Sequence, residues 1–259
     1  MSYLVGAGLT LVVLLGCLPL LNHSGETPPD PSAAPTTPSA TQETEVIATS
    51  TKPTQPGPDC PAILRELLER NPETYDFVAG YPGTYDLSSD YTPGEIPHLF
   101  QWDTRWGYYP YGGNRVEDLL GLSGCGPTAL SMVVIGMTGD ISWNPAAVAQ
   151  YAAEAGYVTE NDGTAWALMS EGCSHFGLLA QDVALWEDTM IQALEDSPLI
   201  CALGPGDFTQ VGHYIVIIAY ENGAFRVLDP NSKANSEKSW TYATLESQIK
   251  AIWGFTLEN

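Results

Sequence analysis

The chain has 259 residues, 31 of them acidic against nine basic, for a formal net charge of −22. No cluster of Lys or Arg occurs in it, so recognition of nucleic acid or of an anionic membrane surface by charge is disfavoured, and the acidity suits solubility or cationic partners. The five cysteines, at positions 17, 60, 125, 173 and 201, show no metal-ligand spacing, so neither a metal nor a cofactor is expected.

The run from Tyr3 to Leu21 carries no charge and is rich in Leu, Val and Gly. It reads as a secretory core or a short membrane span, so residues 1–25 are expected to be a signal peptide or an anchor. Leu14-Leu15-Gly16-Cys17 resembles a bacterial lipobox, in which the cysteine becomes lipidated; an uncleaved anchor stays open. With Cys17 lipidated and Cys125 a free nucleophile, a disulfide framework is not expected, although one bridge remains open. Residues 26–58 are built of Pro, Thr, Ser, Ala and Glu and cannot bury enough apolar area to fold, so they form an extended stalk. Residues 59–259 then form one globular domain, held outside the cell on a membrane or secreted, and contacting the membrane only through its N-terminus.

In that domain Asp59 is expected to cap a helix with Pro61 in its first turn, running to Arg70, and a second short helix runs from Pro72 to Gly80. Tyr81 to Pro97 reads as a long loop. Gly124-Cys125-Gly126-Pro127 opens a helix in which Leu130, Val133, Val134 and Met137 recur with helical period. A thiol at such a start faces the positive end of the helix dipole, which favours thiolate, and the glycines beside it leave room for a substrate. Asn144-Pro145 starts another helix, to Gly156, and Gly163-Thr164 a third. Leu178 to Asp182 and Leu199 to Leu203 read as strands around a helix from Glu187 to Asp196. His213 to Tyr220 and Ala224 to Asp229 form a hairpin, and a last strand covers Ala251 to Phe255. The class is α+β: a helical half joined to an antiparallel sheet.

Cys125 as a nucleophile needs a base, and the base needs an orienting group; His213 and Asp229 can supply both. They meet only if the hairpin register allows it, because side chains alternate faces along a strand. A two-residue Asn222-Gly223 loop alone sets them on opposite faces. A three-residue loop, Glu221-Asn222-Gly223, pairs 220 with 224 and 215 with 229, which returns them to one face with Ile215, Ile217, Ala219, Phe225 and Val227 and leaves Arg226 on the other. The three-residue loop is therefore expected.

The order Cys125, then His213 on a strand, then Asp229 on the next strand, with a helix opening at the cysteine, resembles the papain-like cysteine peptidases, and four ordered blocks, Gln101-Trp102-Asp103-x-Arg105-Trp106-Gly107, Gly124-Cys125-Gly126-Pro127-Thr128-Ala129, Gly212-His213-Tyr214-Ile215-Val216-Ile217 and Asp229-Pro230-Asn231-Ser232, narrow the match. The narrower resemblance is to the bacteriocin-leader, or double-glycine, peptidases of bacteria, family thirty-nine of the cysteine peptidases, over roughly Ile96 to Phe255. It implies a papain-like fold whose central helix starts at Cys125, with Cys125 as nucleophile, His213 as general base and acid, and Asp229 as orienting carboxylate. Gln101 corresponds to the family glutamine that stabilises the oxyanion with the Cys125 N–H, at a longer separation from the cysteine than in the bacteriocin-leader peptidases.

His175 is the competing base, but no carboxylate lies on an adjoining strand; His98 is expected to be structural; Trp166, Asp207 and Phe208 are candidates to face the cleft. The expected activity is hydrolysis of an amide bond in a peptide or cell-wall peptide through a thioester, by a monomer. A transglutaminase-like acyl transfer and a non-catalytic surface-binding module of the same fold remain as alternatives.

Overall fold

The computed structural model describes residues 55–86, 92, 94–159 and 163–258. The expected anchor at 1–25 and nearly all of the stalk lie outside those residues. Among the described residues no helix is long and apolar enough to cross a membrane.

Among the described residues nine α-helices and six strands follow in chain order: α1 (Ala62–Arg70), α2 (Tyr75–Ala79), α3 (Leu120–Ser123), α4 (Cys125–Thr138), α5 (Pro145–Glu154), α6 (Ala167–Ser170), β1 (Leu178–Asp182), α7 (Glu187–Leu194), β2 (Leu199–Leu203), β3 (His213–Glu221), β4 (Ala224–Leu228), α8 (Lys233–Ser236), β5 (Ser239–Trp240), α9 (Tyr242–Leu245) and β6 (Ile249–Leu257). The strands form one antiparallel sheet in the order β1-β6-β2-β3-β4-β5. The α+β expectation holds, and the helix that opens at Cys125 is the central one.

Alternation along the strands splits the apolar side chains into two cores. On one face Ile200, Ala202, Tyr214, Val216 and Leu228 pack with α4 and α5. On the other Leu199, Cys201, Ile215, Ile217, Phe225 and Val227 pack with Met190 of α7 and Leu245 of α9. Every residue of α4 from Gly126 to Ile135 is buried, so this stretch has no solvent-facing side and is held by its surroundings. A third core, of Leu64, Leu67, Phe77, Val78 and Tyr108, binds α1 and α2 to the segment before α3.

Several boundaries differ from expectation. Pro61 is the cap residue of α1 and not a first-turn residue, and no side chain, Asp59 included, caps it. Asn144 does cap α5, its Oδ1 accepting the N–H groups of Ala146 and Ala147, both at 3.1 Å. Thr164 bridges Val158 in extended backbone, so the third helix begins only at Ala167. The four described cysteines, Cys60, Cys125, Cys173 and Cys201, are free thiols.

The β3–β4 hairpin corrects the expected loop. Glu221 pairs with Ala224, so the turn is the two-residue Asn222-Gly223, with φ of 52° and 80°, the doubly left-handed form that matches strand twist. A bulge between Ile217 and Ala219 then inserts one residue, and below it Ile217 pairs with Val227 and Val216 with Leu228. That is the register the three-residue loop was meant to give, reached by another device. The bulge also moves Ala219 opposite Arg226, away from the face on which it was expected.

Candidate active site

Cys125 is the first residue of α4, with Gly124 as its cap. A residue there has no intrahelical acceptor for its N–H, which leaves that donor aimed outward beside the thiol. The flanking glycines serve a different purpose from the one expected. A Cβ at Gly124 would lie 2.4 Å from Leu120 Cδ1, and one at Gly126 would lie 2.5 Å from Thr164 Oγ1. The space they open is filled by the protein itself, and it lets α3 and the Thr164 segment close on the nucleophile. Thr164 is held in turn by two buried tyrosines: its Oγ1 shares a 2.8 Å hydrogen bond with Tyr111 Oη, and its carbonyl accepts from Tyr214 Oη at 2.8 Å.

His213 begins β3, buried and opposite Leu203 of β2. Its Nε2 hydrogen-bonds Asp229 Oδ1 at 2.7 Å, with both side chains nearly inaccessible to solvent. Cys125 lines the same cleft as His213 and also bears on the ring. With Nε2 given to the carboxylate, Nδ1 is the nitrogen left for the thiol. Burial alone would lower the imidazole pKa, but the Asp229 charge and hydrogen bond, joined by Cys125, outweigh it and raise the pKa well above the ordinary value near 6.5. Asp229 shifts the opposite way: burial would raise its pKa, and the His213 charge, with hydrogen bonds from His213, Asn235 and Asn231, lowers it.

Asp229 is held on every side. Its Oδ1 also accepts the Asn231 N–H at 2.8 Å, its Oδ2 accepts Asn235 Nδ2 at 2.8 Å, and its own N–H donates to Ser236 Oγ at 2.8 Å. His98 Nε2 lies 3.1 Å from both the Asp229 carbonyl and Ser236 Oγ. The carbonyl can only accept, so His98 carries its proton on Nε2 and braces the chain from behind, the structural part expected of it. Burial lowers its pKa, which suits that neutral form.

Gln101 is buried at 3 % exposure and does not line the cleft. Its N–H donates to the Pro230 carbonyl at 2.8 Å and its Nε2 to the Gly121 carbonyl at 3.1 Å, while Oε1 has no partner among the described residues. It thus ties the turn after Asp229 to α3, and Nε2 keeps a second proton. His175 is stacked on Tyr151 with ring centroids 3.9 Å apart and lies outside the cleft. Of the three residues expected to face it, only Trp166 does. Asp207 is engaged with the Gln248 amide at 2.6 Å, and Phe208 packs on Trp240.

Cys125 and His213 open on a cleft of about 560 Å³ walled by Thr164, Trp166, Leu203 and Val211, with Ile63 and Arg70 of α1 at its rim. Asn235 and Ser236 were not anticipated. Ser232, whose Oγ accepts the Asn235 N–H, was a legible helix cap, but nothing local says that the short helix turns back onto Asp229.

A helix opening at a cysteine, packed on an antiparallel sheet that presents a histidine bound to a carboxylate, defines a papain-like cysteine-peptidase fold. The chain belongs to the Peptidase_C39 like family, whose model matches residues 94–256. Among solved structures it is similar to the peptidase domain of Streptococcus ComA, a bi-functional ABC transporter involved in a quorum sensing pathway. The identity is 17 %, the match covers 52 % of this chain and 92 % of that one, and the TM-score is 0.42. No curated protein matches.

Proposed function

We propose that the protein is a cysteine peptidase that hydrolyses a peptide amide bond, with Cys125 as nucleophile. The observation that carries the reading is the buried 2.7 Å bond from His213 Nε2 to Asp229 Oδ1, in an imidazole that opens on the same cleft as Cys125. In this reading His213 takes the thiol proton through Nδ1, and the sulfur attacks the scissile carbonyl. The tetrahedral oxyanion is met by the Cys125 N–H, while Gln101, buried outside the cleft, braces α3 behind it. His213 returns the proton to the leaving amine, a thioester remains, and water, deprotonated by His213, releases the acid. Asp229 holds one tautomer and stabilises the imidazolium. The substrate is a peptide or cell-wall peptide laid along the Trp166–Val211 cleft, and the protein works as a monomer outside the cell, tethered through residues 1–58 or secreted.

The test couples thiol reactivity to turnover. With trace iodoacetamide, Cys125 is expected to label ahead of Cys60, Cys173 and Cys201, and His213→Ala to abolish that preference. Cys125→Ala is expected to lower cleavage of a peptide library by roughly 10⁴-fold or more with the fold intact. Uniform slow labelling and no cleavage would leave only a binding module. Trapping the acyl-enzyme and analysing products with and without an added amine separates hydrolysis from acyl transfer.

A further inference from the structure

Residues 55–86 precede the stretch that the family model matches, yet they reach the site from behind. Asn71, which ends α1, donates from Nδ2 to the Asn231 carbonyl at 2.6 Å, next to the Trp102 indole N–H at 3.0 Å on the same oxygen. Glu73 accepts the backbone N–H of Lys233 at 2.6 Å and of Ala234 at 2.9 Å. One turn sets both side chains, because Asn71 Oδ1 accepts the Glu73 N–H at 3.1 Å. The segment they hold, Asn231 to Ser236, supplies the Asn231 N–H, the Asn235 amide and the Ser236 hydroxyl that fix Asp229.

We propose that Asn71 and Glu73 are positioning residues for the Asp229 carboxylate, so that the N-terminal helical segment is part of the working site. The proposal rests on the peptidase reading above. Its physical basis is that α8 has four residues, too few to hold a helical turn without outside support. The first amides of that turn need acceptors, and the Glu73 carboxylate is an acceptor suited to the positive end of a helix. Once those bonds go, the Asn235 amide has no fixed place opposite Asp229 Oδ2, and the carboxylate can turn away from His213. Glu73 meets α8 at the surface, where its charge acts weakly through water, so its effect is geometric. The other titratable groups around Asp229 are His213 and Cys125 on the cleft side and His98 behind it, with Lys233 beside Glu73.

The test follows the His213 imidazole by NMR through a pH titration of the full chain, as wild type, Asn71→Ala, Glu73→Ala and Glu73→Gln. Asn71→Ala and Glu73→Ala are each expected to lower the His213 midpoint by roughly one pH unit, because a looser carboxylate holds the imidazolium proton less well. Glu73→Gln keeps an acceptor and the shape of the surface, folds as the wild type does, and is expected to move the midpoint by less than half as much. An unchanged midpoint in the folded variants would overturn the proposal. So would an equal shift in Glu73→Gln and Glu73→Ala, which would mean that charge and not position is at work. Peptide cleavage is no input to this titration, so a chain that cleaves nothing would end the peptidase reading and still leave the positioning of Asp229 measurable.

Discussion

The two halves of the site are fixed by opposite means. Cys125 stands at the end of a helix buried from Gly126 to Ile135, and it is aimed mainly by packing: Leu120 and Thr164 fill the places where side chains on its two neighbours would be. His213 and Asp229 stand at the open end of a hairpin, where hydrogen bonds from Asn231 and Asn235 hold the carboxylate, and Ser236 and His98 hold the backbone of Asp229. A packed helix resists in proportion to the area it buries, and cannot be tuned without being weakened. A hydrogen-bonded turn can set a proton's energy at little cost in stability. The nucleophile thus belongs to the core, and the base to a polar network added to its edge.

If that contrast holds, damage to the network should appear in the pH profile, and damage to the helix in stability. Asp229→Asn carries the larger effect. The amide nearly matches the carboxylate in shape but cannot stabilise an imidazolium, so kcat/KM is expected to fall by roughly 10²- to 10⁴-fold. The alkaline limb of the rate profile should retreat from its elevated position toward the ordinary imidazole value near 6.5. Stability should change with pH as well. The raised His213 pKa contributes stability that is complete below its unfolded value and lost as pH rises through the folded one. The lowered Asp229 pKa contributes stability present above its unfolded value, near 3.8, and lost as pH falls through the folded one. The wild-type advantage over Asp229→Asn should therefore be widest from about pH 4 to pH 6.5 and shrink on either side, as urea unfolding across pH would report.

Leu130→Ala probes the other half. Leu130 is fully buried in α4, and its truncation is expected to cost about 2–5 kcal/mol through lost burial and the cavity left behind. Denaturant midpoints should record that loss. The alkaline limb of kcat/KM for the folded fraction should stay where it is, since no partner of Asp229 is touched. A moved limb in Leu130→Ala would show that packing and proton placement are coupled, against the contrast drawn above.

What could be read from the chain follows the same division. The helix at Cys125 was legible because its apolar period and the Gly-Cys-Gly-Pro start are local signals. The strands and their antiparallel pairing were legible from β-branched runs such as Ile215-Val216-Ile217-Ile218. The pairing of His213 with Asp229 was legible only as a demand that the register had to meet. What met it was not: a bulge at Ile218 leaves no mark in composition, because the inserted residue is one more apolar residue in an apolar run. The partners from Asn71, Glu73 and His98 were invisible for a different reason. They are more than a hundred residues from the turn they hold, and no periodicity connects a surface carboxylate to the amides it will meet.

The bulge also yields the smallest effect. Gly223 sits at φ 80° in the Asn222-Gly223 turn, with nothing within 4 Å of the place a Cβ would take. Gly223→Ala therefore meets no clash and incurs only the cost of a left-handed alanine, about 1 kcal/mol, which thermal unfolding would register as a drop of a few degrees. Were the turn what brings His213 and Asp229 together, loosening it would let the strands slip by a residue and send the histidine to the far face. With the bulge between Ile217 and Ala219 setting the register below it, and Val216–Leu228 and Ile217–Val227 paired beneath, strain at the tip stops at the bulge. The variant is expected to keep kcat/KM within about twofold of wild type, inside the scatter ordinary for surface changes. A larger loss, with the His213 titration displaced, would return control of the register to the turn.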